Sequence, residues 1–99
     1  MKPGSRDEKL HILIAGDELR ELKRHSGSMV EAFGLDRRIE RYQGKRPIGL
    51  YRWDLDCLID VIYLALDDND EYPSKDSSEY LSLSRLHQRL QKEYAKMFD

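Results

Sequence analysis

From Leu55 to Leu66 the chain reads Leu-Asp-Cys-Leu-Ile-Asp-Val-Ile-Tyr-Leu-Ala-Leu. Wound as a helix, this stretch is apolar on nearly every side, and past Asp56 in its first turn only Asp60 interrupts it. A helix that is apolar all round is covered all round. The segment is therefore expected to be an enclosed cylinder at the centre of the fold. Asp54 stands where an N-cap is wanted. Trp53 before it and Leu58 inside it are spaced for a hydrophobic staple, and Asp56 suits the positive end of the helix dipole. Enclosing a full apolar ring is hard for a chain of 99 residues, which predicts a homodimer with part of the central or C-terminal helix at its interface.

The rest of the chain points the same way. It holds fourteen Leu but two Val and no Thr, a balance that favours helices over strands. Leu19, Leu22, Met29 and Phe33, with small Ser26, share one helical face, which predicts a helix from Asp17 to Phe33 with Glu18, Arg20, Arg24 and Glu31 on its other faces. Gly34 follows as a helix terminator. A shorter helix is expected from Leu35 to about Tyr42, closed by Gly44. Gly44 to Gly49 reads as a loop. The last helix is expected from Ser78 to Phe98, with Leu83, Leu86, Leu90, Tyr94 and Met97 buried. Arg85, Arg89, Lys92 and Lys96 would face water, with Arg89 pairing to Glu93. Ser5 and Glu8 fit a capping box, which favours a helix over Ser5 to Gly16. The competing reading is a strand at Leu10–Ile14, whose one candidate partner is Ile48–Trp53. The expected fold is thus all-α, a compact bundle of three to five helices in a single domain spanning 1–99. Residues 1–5 are expected to be disordered, and 67–78 to form an acidic connector.

Charge excludes some functions and suggests others. Seventeen Lys and Arg stand against nineteen Asp and Glu, a net charge of −2. That is no protein basic over its whole surface. No apolar run approaches the ~20 residues that span a bilayer, and Met1 to Lys9 has the composition of neither a signal nor a transit peptide. The single cysteine, Cys57, excludes an internal disulfide. These features predict a cytoplasmic protein without membrane partners. The charge is nonetheless lopsided. Residues 36–52 carry six basic and two acidic side chains, a net +4, whereas residues 54–79 carry nine acidic and one basic, a net −8.

The basic stretch interleaves cations with aromatics: Arg37, Arg38, Arg41, Tyr42, Lys45, Arg46, Tyr51, Arg52, Trp53. Guanidinium groups grip carboxylate or phosphate, and aromatic faces stack on apolar partners or bases. The expected contact residues are Arg38, Arg41, Lys45, Arg46, Tyr51 and Arg52, with Tyr51 as apolar anchor. The leading expectation is a non-enzymatic helical interaction module, an adaptor or regulatory protein, with a protein partner or self-association. Nucleic-acid binding through 37–53 is the first alternative. The competing account of the same arginines is that the acids of 54–79 neutralise them.

Three other patterns bear on chemistry. Counted from Asp68, the carboxylates Asp68, Asp70, Asp76 and Glu79 fall at calcium-loop positions, but Tyr72 and Pro73 stand where a ligand and a glycine are needed. His11, His25 and His87 show no metal-ligand spacing, although Glu21 and His25 lie one helical turn apart. Cys57 reads as a small core residue, and as a nucleophile only if a histidine is brought to it. Finally, Asp56 to Leu64 resembles the second metal-binding helix of MazG-like nucleotide pyrophosphohydrolases, with Glu18-Leu19-Arg20-Glu21 matching that family's first Glu-x-x-Glu motif. The resemblance implies magnesium-dependent hydrolysis of nucleoside triphosphates with Glu18, Glu21 and Asp60 as ligands. The second motif departs from the pattern, since Cys57 stands three residues before Asp60 and Asp56 is turned about 100° away around the helix. No catalytic residue, metal or cofactor is expected on the leading reading.

Overall fold

Two three-residue strands pin the chain's first described segment to its middle. In the computed structural model, which describes residues 9–29 and 34–98, β1 (Leu10–Ile12) pairs antiparallel with β2 (Ile48–Leu50), Leu10 opposite Leu50 and Ile12 opposite Ile48. Four helices complete the regular structure among the described residues, apart from one short 3-10 turn: α1 (Gly16–Arg24), α2 (Leu35–Arg41), α3 (Arg52–Asp67) and α4 (Ser78–Phe98). The fold is therefore mostly helical rather than all-α. No described helix is long and apolar enough to cross a membrane.

The expected helix over Ser5 to Gly16 is not formed where it is described; the capping residues Ser5 and Glu8 lie outside the described residues. Apolar alternation wins instead. Ile12 and Ile14 point into the core, while His11 and Leu13 point out, Leu13 being 45% exposed. Gly16 has φ +59°, a left-handed conformation that prevents a right-handed helix from running back through it. The partner lies within the stretch the sequence offered, Ile48–Trp53, but is only its first three residues, Ile48–Leu50, since α3 begins at Arg52.

The first long helix is also shorter than expected. It stops at Arg24, where His25 caps it, and Ser26–Ser28 forms the 3-10 turn. Ser-Gly-Ser is a poor helix-forming run. Leu19, Leu22, Ser26 and Met29 are nonetheless buried, as their spacing implied, whereas Phe33 lies outside the described residues. Glu18 and Glu21 are buried rather than solvated. The α2 helix spans nearly its expected range, entered through Gly34 at φ +72°.

At the head of α3, Tyr51 takes the N-cap position and Asp54 stands three residues inside. The Asp54 carboxylate still serves the helix start, since its Oδ2 accepts the Tyr51 N–H at 3.0 Å. The staple is absent: Trp53 is 44% exposed and stacks on Tyr51. Nor is α3 an enclosed cylinder. Leu55, Leu58, Ile62 and Ala65 are buried, but Tyr63 and Leu64 are 60% and 66% exposed. The physical reason is the supply of neighbours. The α3 helix packs along α4 and against β2, and α1 packs chiefly on α4, so the outward flank of α3 is left uncovered.

The α4 helix spans its expected range and buries Leu83, Leu86 and Leu90, with Tyr94 and Met97 partly buried. Two of its cations reach across to α1 while staying partly open to water, Arg85 61% and Arg89 39% exposed. Arg85 Nε donates to Glu18 Oε2 at 3.1 Å, and Arg89 donates to Glu18 Oε1 and to the Leu13 carbonyl, not to Glu93. One buried carboxylate thereby ties α1 to α4.

Candidate functional site

Two surfaces of opposite character stand out. The first gathers the cations of α2 and the following loop. Arg41, Lys45 and Arg46 are exposed, and with Tyr42 and Gln43 they line a concavity of about 360 Å³. An adjoining concavity of about 480 Å³ lies between Arg41, Arg38, Tyr42, Pro47 and the outer face of the strand pair, where it meets Lys9 and His11. The loop is held in place by Tyr42, whose hydroxyl accepts the Ile14 N–H at 3.3 Å and donates to the Arg46 carbonyl at 2.5 Å. Gly44 permits this close approach. It has φ +73°, and a Cβ there would come within 3.0 Å of the Ile14 carbonyl oxygen and of Leu19 Cδ2. At the surface's edge Tyr51 and Trp53 stack with ring centroids 4.7 Å apart, and the Lys9 ammonium sits 5.1 Å from the Tyr51 ring.

Of the six sequence-predicted contact residues, Arg41, Lys45, Arg46 and Tyr51 thus border one region. Arg38 has a structural task. Its Nη1 donates to Asp54 Oδ2 at 2.8 Å, and its Nη2 donates to the Gly49 carbonyl, tying α2 to β2 and α3. Arg52 turns towards α4, donating from Nε to the Tyr94 hydroxyl at 3.0 Å with its guanidinium over that ring. Internal neutralisation by the acids of 54–79 therefore holds for Arg38, and among the described residues no ion pair involves Arg41, Lys45 or Arg46. Lys9 and His11 were missed. The signal for them was the alternation of residues 9–14, legible only if that stretch is taken as a strand.

The second surface is a cleft of about 520 Å³ along the outer flank of α3, lined among others by His25, Asp60, Tyr63, Leu64, Asp68 and Glu71. Behind it lies a polar cluster built around the buried Glu21 and Tyr72, with Arg24 and Glu71 at its exposed edge. The Tyr72 hydroxyl donates to Glu21 Oε1 at 2.9 Å, Arg24 Nη1 donates to the same oxygen at 2.7 Å, and Arg24 Nη2 reaches Glu71 at 3.0 Å. His25 Nε2 lies 2.9 Å from the Tyr72 oxygen. With the Tyr72 proton committed to Glu21, the histidine is the donor there and its Nδ1 carries the lone pair. Burial, then the bond to Glu21, pushes the Tyr72 phenol far above its ordinary range. Burial lowers the His25 pKa, and the bond to Glu21 raises that of Arg24. The cluster is thus a neutral phenol and a neutral imidazole bridged to an arginine–carboxylate pair, an arrangement that fastens the 68–77 connector to α1.

The sequence-predicted metal ligands are dispersed. Glu18 is held by Arg85 and Arg89, Glu21 by Arg24 and Tyr72, and Asp60 is exposed in the cleft. In the acidic connector, Tyr72 is buried and Asp68 Oδ1 accepts the Asp70 N–H at 2.9 Å. Among the described residues no three His, Cys, Asp or Glu side chains are grouped to hold a metal ion. Cys57 and His25 line the same cleft. Compared with family models, curated proteins and solved structures, the chain gives no match.

Proposed function

We propose that the chain is a non-enzymatic helical interaction module that docks an acidic protein partner on the surface formed by Lys9, Arg41, Lys45, Arg46 and the Tyr51–Trp53 pair. The reading is carried by one observation: exposed cations converge on two adjoining concavities beside a stacked aromatic pair whose Trp53 is 44% exposed. Fixed positive charge accelerates encounter and selects for negative partners. A half-exposed indole with its ring already stacked offers contact area at low entropic cost. The strand pair and the Tyr42 bonds hold this surface on rigid backbone, so little ordering is needed on binding.

The stacked pair also favours a second reading, single-stranded nucleic acid, since an aromatic face beside arginines is a base-stacking platform. One experiment separates the two. Fluorescence polarisation is measured with an acidic Glu/Asp peptide and with a single-stranded oligonucleotide, across a salt series, for the wild type and for the Arg41→Glu/Lys45→Glu/Arg46→Glu variant. The proposal expects peptide binding that the triple variant abolishes. Tighter oligonucleotide binding with a steep fall as salt rises would favour nucleic acid. Failure of both probes at low salt would end both readings.

A further inference from the structure

Beyond its first turn, where Trp53 belongs to the cationic surface and the exposed Arg52 donates to the Tyr94 hydroxyl, the exposed flank of α3 is a stripe at helical spacing: Asp56, Asp60, Tyr63, Leu64 and Asp67. Tyr63 and Leu64 are the two most exposed large apolar side chains described, at 60% and 66%. They sit in the mouth of the 520 Å³ cleft, whose lining residues are shared with neither cationic concavity. Five exposed carboxylates surround them: Asp56, Asp60 and Asp67 on the helix, and Asp68 and Glu71 just beyond it. Two cations on adjoining segments are already occupied. Arg24 is held by Glu21 and Glu71, and Lys75 donates to the Leu66 carbonyl at 2.8 Å. The one basic group in the cleft lining, His25, is lowered in pKa by its burial.

We propose that this flank is a second docking surface, which receives a cationic amphipathic helix of a partner protein. Charge decides the class of occupant. Five carboxylates around an apolar pair repel nucleic acid and anionic lipid, and attract Lys and Arg. A second copy presenting the same flank would set these carboxylates against their own kind. Shape decides the form of the occupant. A straight stripe along a helix of 16 residues accepts another helix, ridges into grooves, whose apolar side chains at i, i+3 or i+4 and i+7 cover Tyr63 and Leu64 while its cations meet the rim. The module is then bipolar, with one face for an acidic partner and another for a basic one. The two are independent, and either stands if the other fails.

The test uses two fluorescein-labelled peptides about four helical turns long. Both carry Leu at the apolar positions, one with Lys and the other with Glu elsewhere. Polarisation is read against the wild type, Leu64→Ser, Asp60→Asn and Arg41→Glu. The expected result is binding of the Lys peptide, weakened at least about tenfold by Leu64→Ser and less by Asp60→Asn, with Arg41→Glu not weakening it, whereas any binding of the Glu peptide takes place on the cationic surface and is weakened by Arg41→Glu but not by Leu64→Ser. All three sites are exposed, and circular dichroism verifies that the variants remain folded. Equal binding by Leu64→Ser, as in unspecific charge attraction, would overturn the proposal, as would no binding. Sedimentation equilibrium of the unliganded protein supplies the remaining outcome. A wild-type dimer that Leu64→Ser converts to monomer would assign the flank to a second copy and overturn the proposal.

Discussion

Asp54 is fully buried, and a buried carboxylate is tolerated only when its bonds are made. Its Oδ2 takes both the Arg38 guanidinium and the Tyr51 N–H, while Oδ1 is buried with no hydrogen-bond partner among the described residues. Removing Arg38 leaves a charge in the core at the junction of α2, β2 and α3. We expect Arg38→Met to cost roughly 3 kcal/mol by urea denaturation, the lower end for a broken buried pair because Arg38 itself is partly exposed. A loss below about 1 kcal/mol would show the pair to be unimportant. His25 and His87 give a second expectation. Burial lowers both pKa values, and at His87 Nε2 is buried with no hydrogen-bond partner among the described residues while the ring makes a backbone hydrogen bond to Ile59. A depressed histidine binds its proton more readily when unfolded. Stability is therefore full above the unfolded pKa of about 6.5 and declines as the pH falls below it. Thermal melts between pH 7.5 and 5.5 should show the decline, and His87→Gln should flatten part of it. The burial of the histidines was not visible in the chain, and the Arg38–Asp54 pair was there only within the competing account, that the acids of 54–79 neutralise the arginines. Asp54 sits where an N-cap belongs and Arg38 where a contact residue belongs, and only their 2.8 Å approach reveals the role they share.

The elements differ in how well their patterns could be read. The core of the α4 stripe, Leu83, Leu86 and Leu90, was legible because a face packed against α3 and α1 together still follows period 3.6, whereas Tyr94 and Met97 near its end are only partly buried. The α3 helix was legible as a helix but not as a half-exposed one, since its composition cannot say how many neighbours it will have. Two substitutions test this directly. Ile62→Ala should cost about 2–5 kcal/mol, as a large-to-small change in a packed core, whereas Leu64→Ala should stay within about 0.5 kcal/mol, as on an open surface. Equal costs would mean that the outer flank is covered in solution. Between α1 and α4, Glu18 joins Arg85 and Arg89 across 67 and 71 residues of chain. Glu18→Ala leaves two guanidinium groups that can still reach water, so we expect a loss of about 1–2 kcal/mol, measured by chemical denaturation. Spacing on a single helix placed Arg85 and Arg89 towards water, where Arg85 stays 61% exposed, but it paired Arg89 with Glu93 rather than Glu18, because i, i+4 arithmetic sees only partners on the same helix.

For the molecule as a whole, polarity of charge matters more than its sum. A net charge of −2 conceals a cationic region around α2 and its loop and an anionic flank on α3. The amino-acid order alone determined this polarity, the helical character of the chain, the extent of α4 and the identity of most core residues, because each depends on composition or on neighbours within a turn or two. Three matters lay beyond it: that Leu10–Ile12 pairs as a strand, that Glu18, Glu21 and Asp54 are buried, and that Tyr63 and Leu64 are open to solvent. All three depend on which segments meet across tens of residues. A strand exists only with its partner, a buried acid only with its arginine or tyrosine, and an apolar flank stays uncovered only when no further element reaches it.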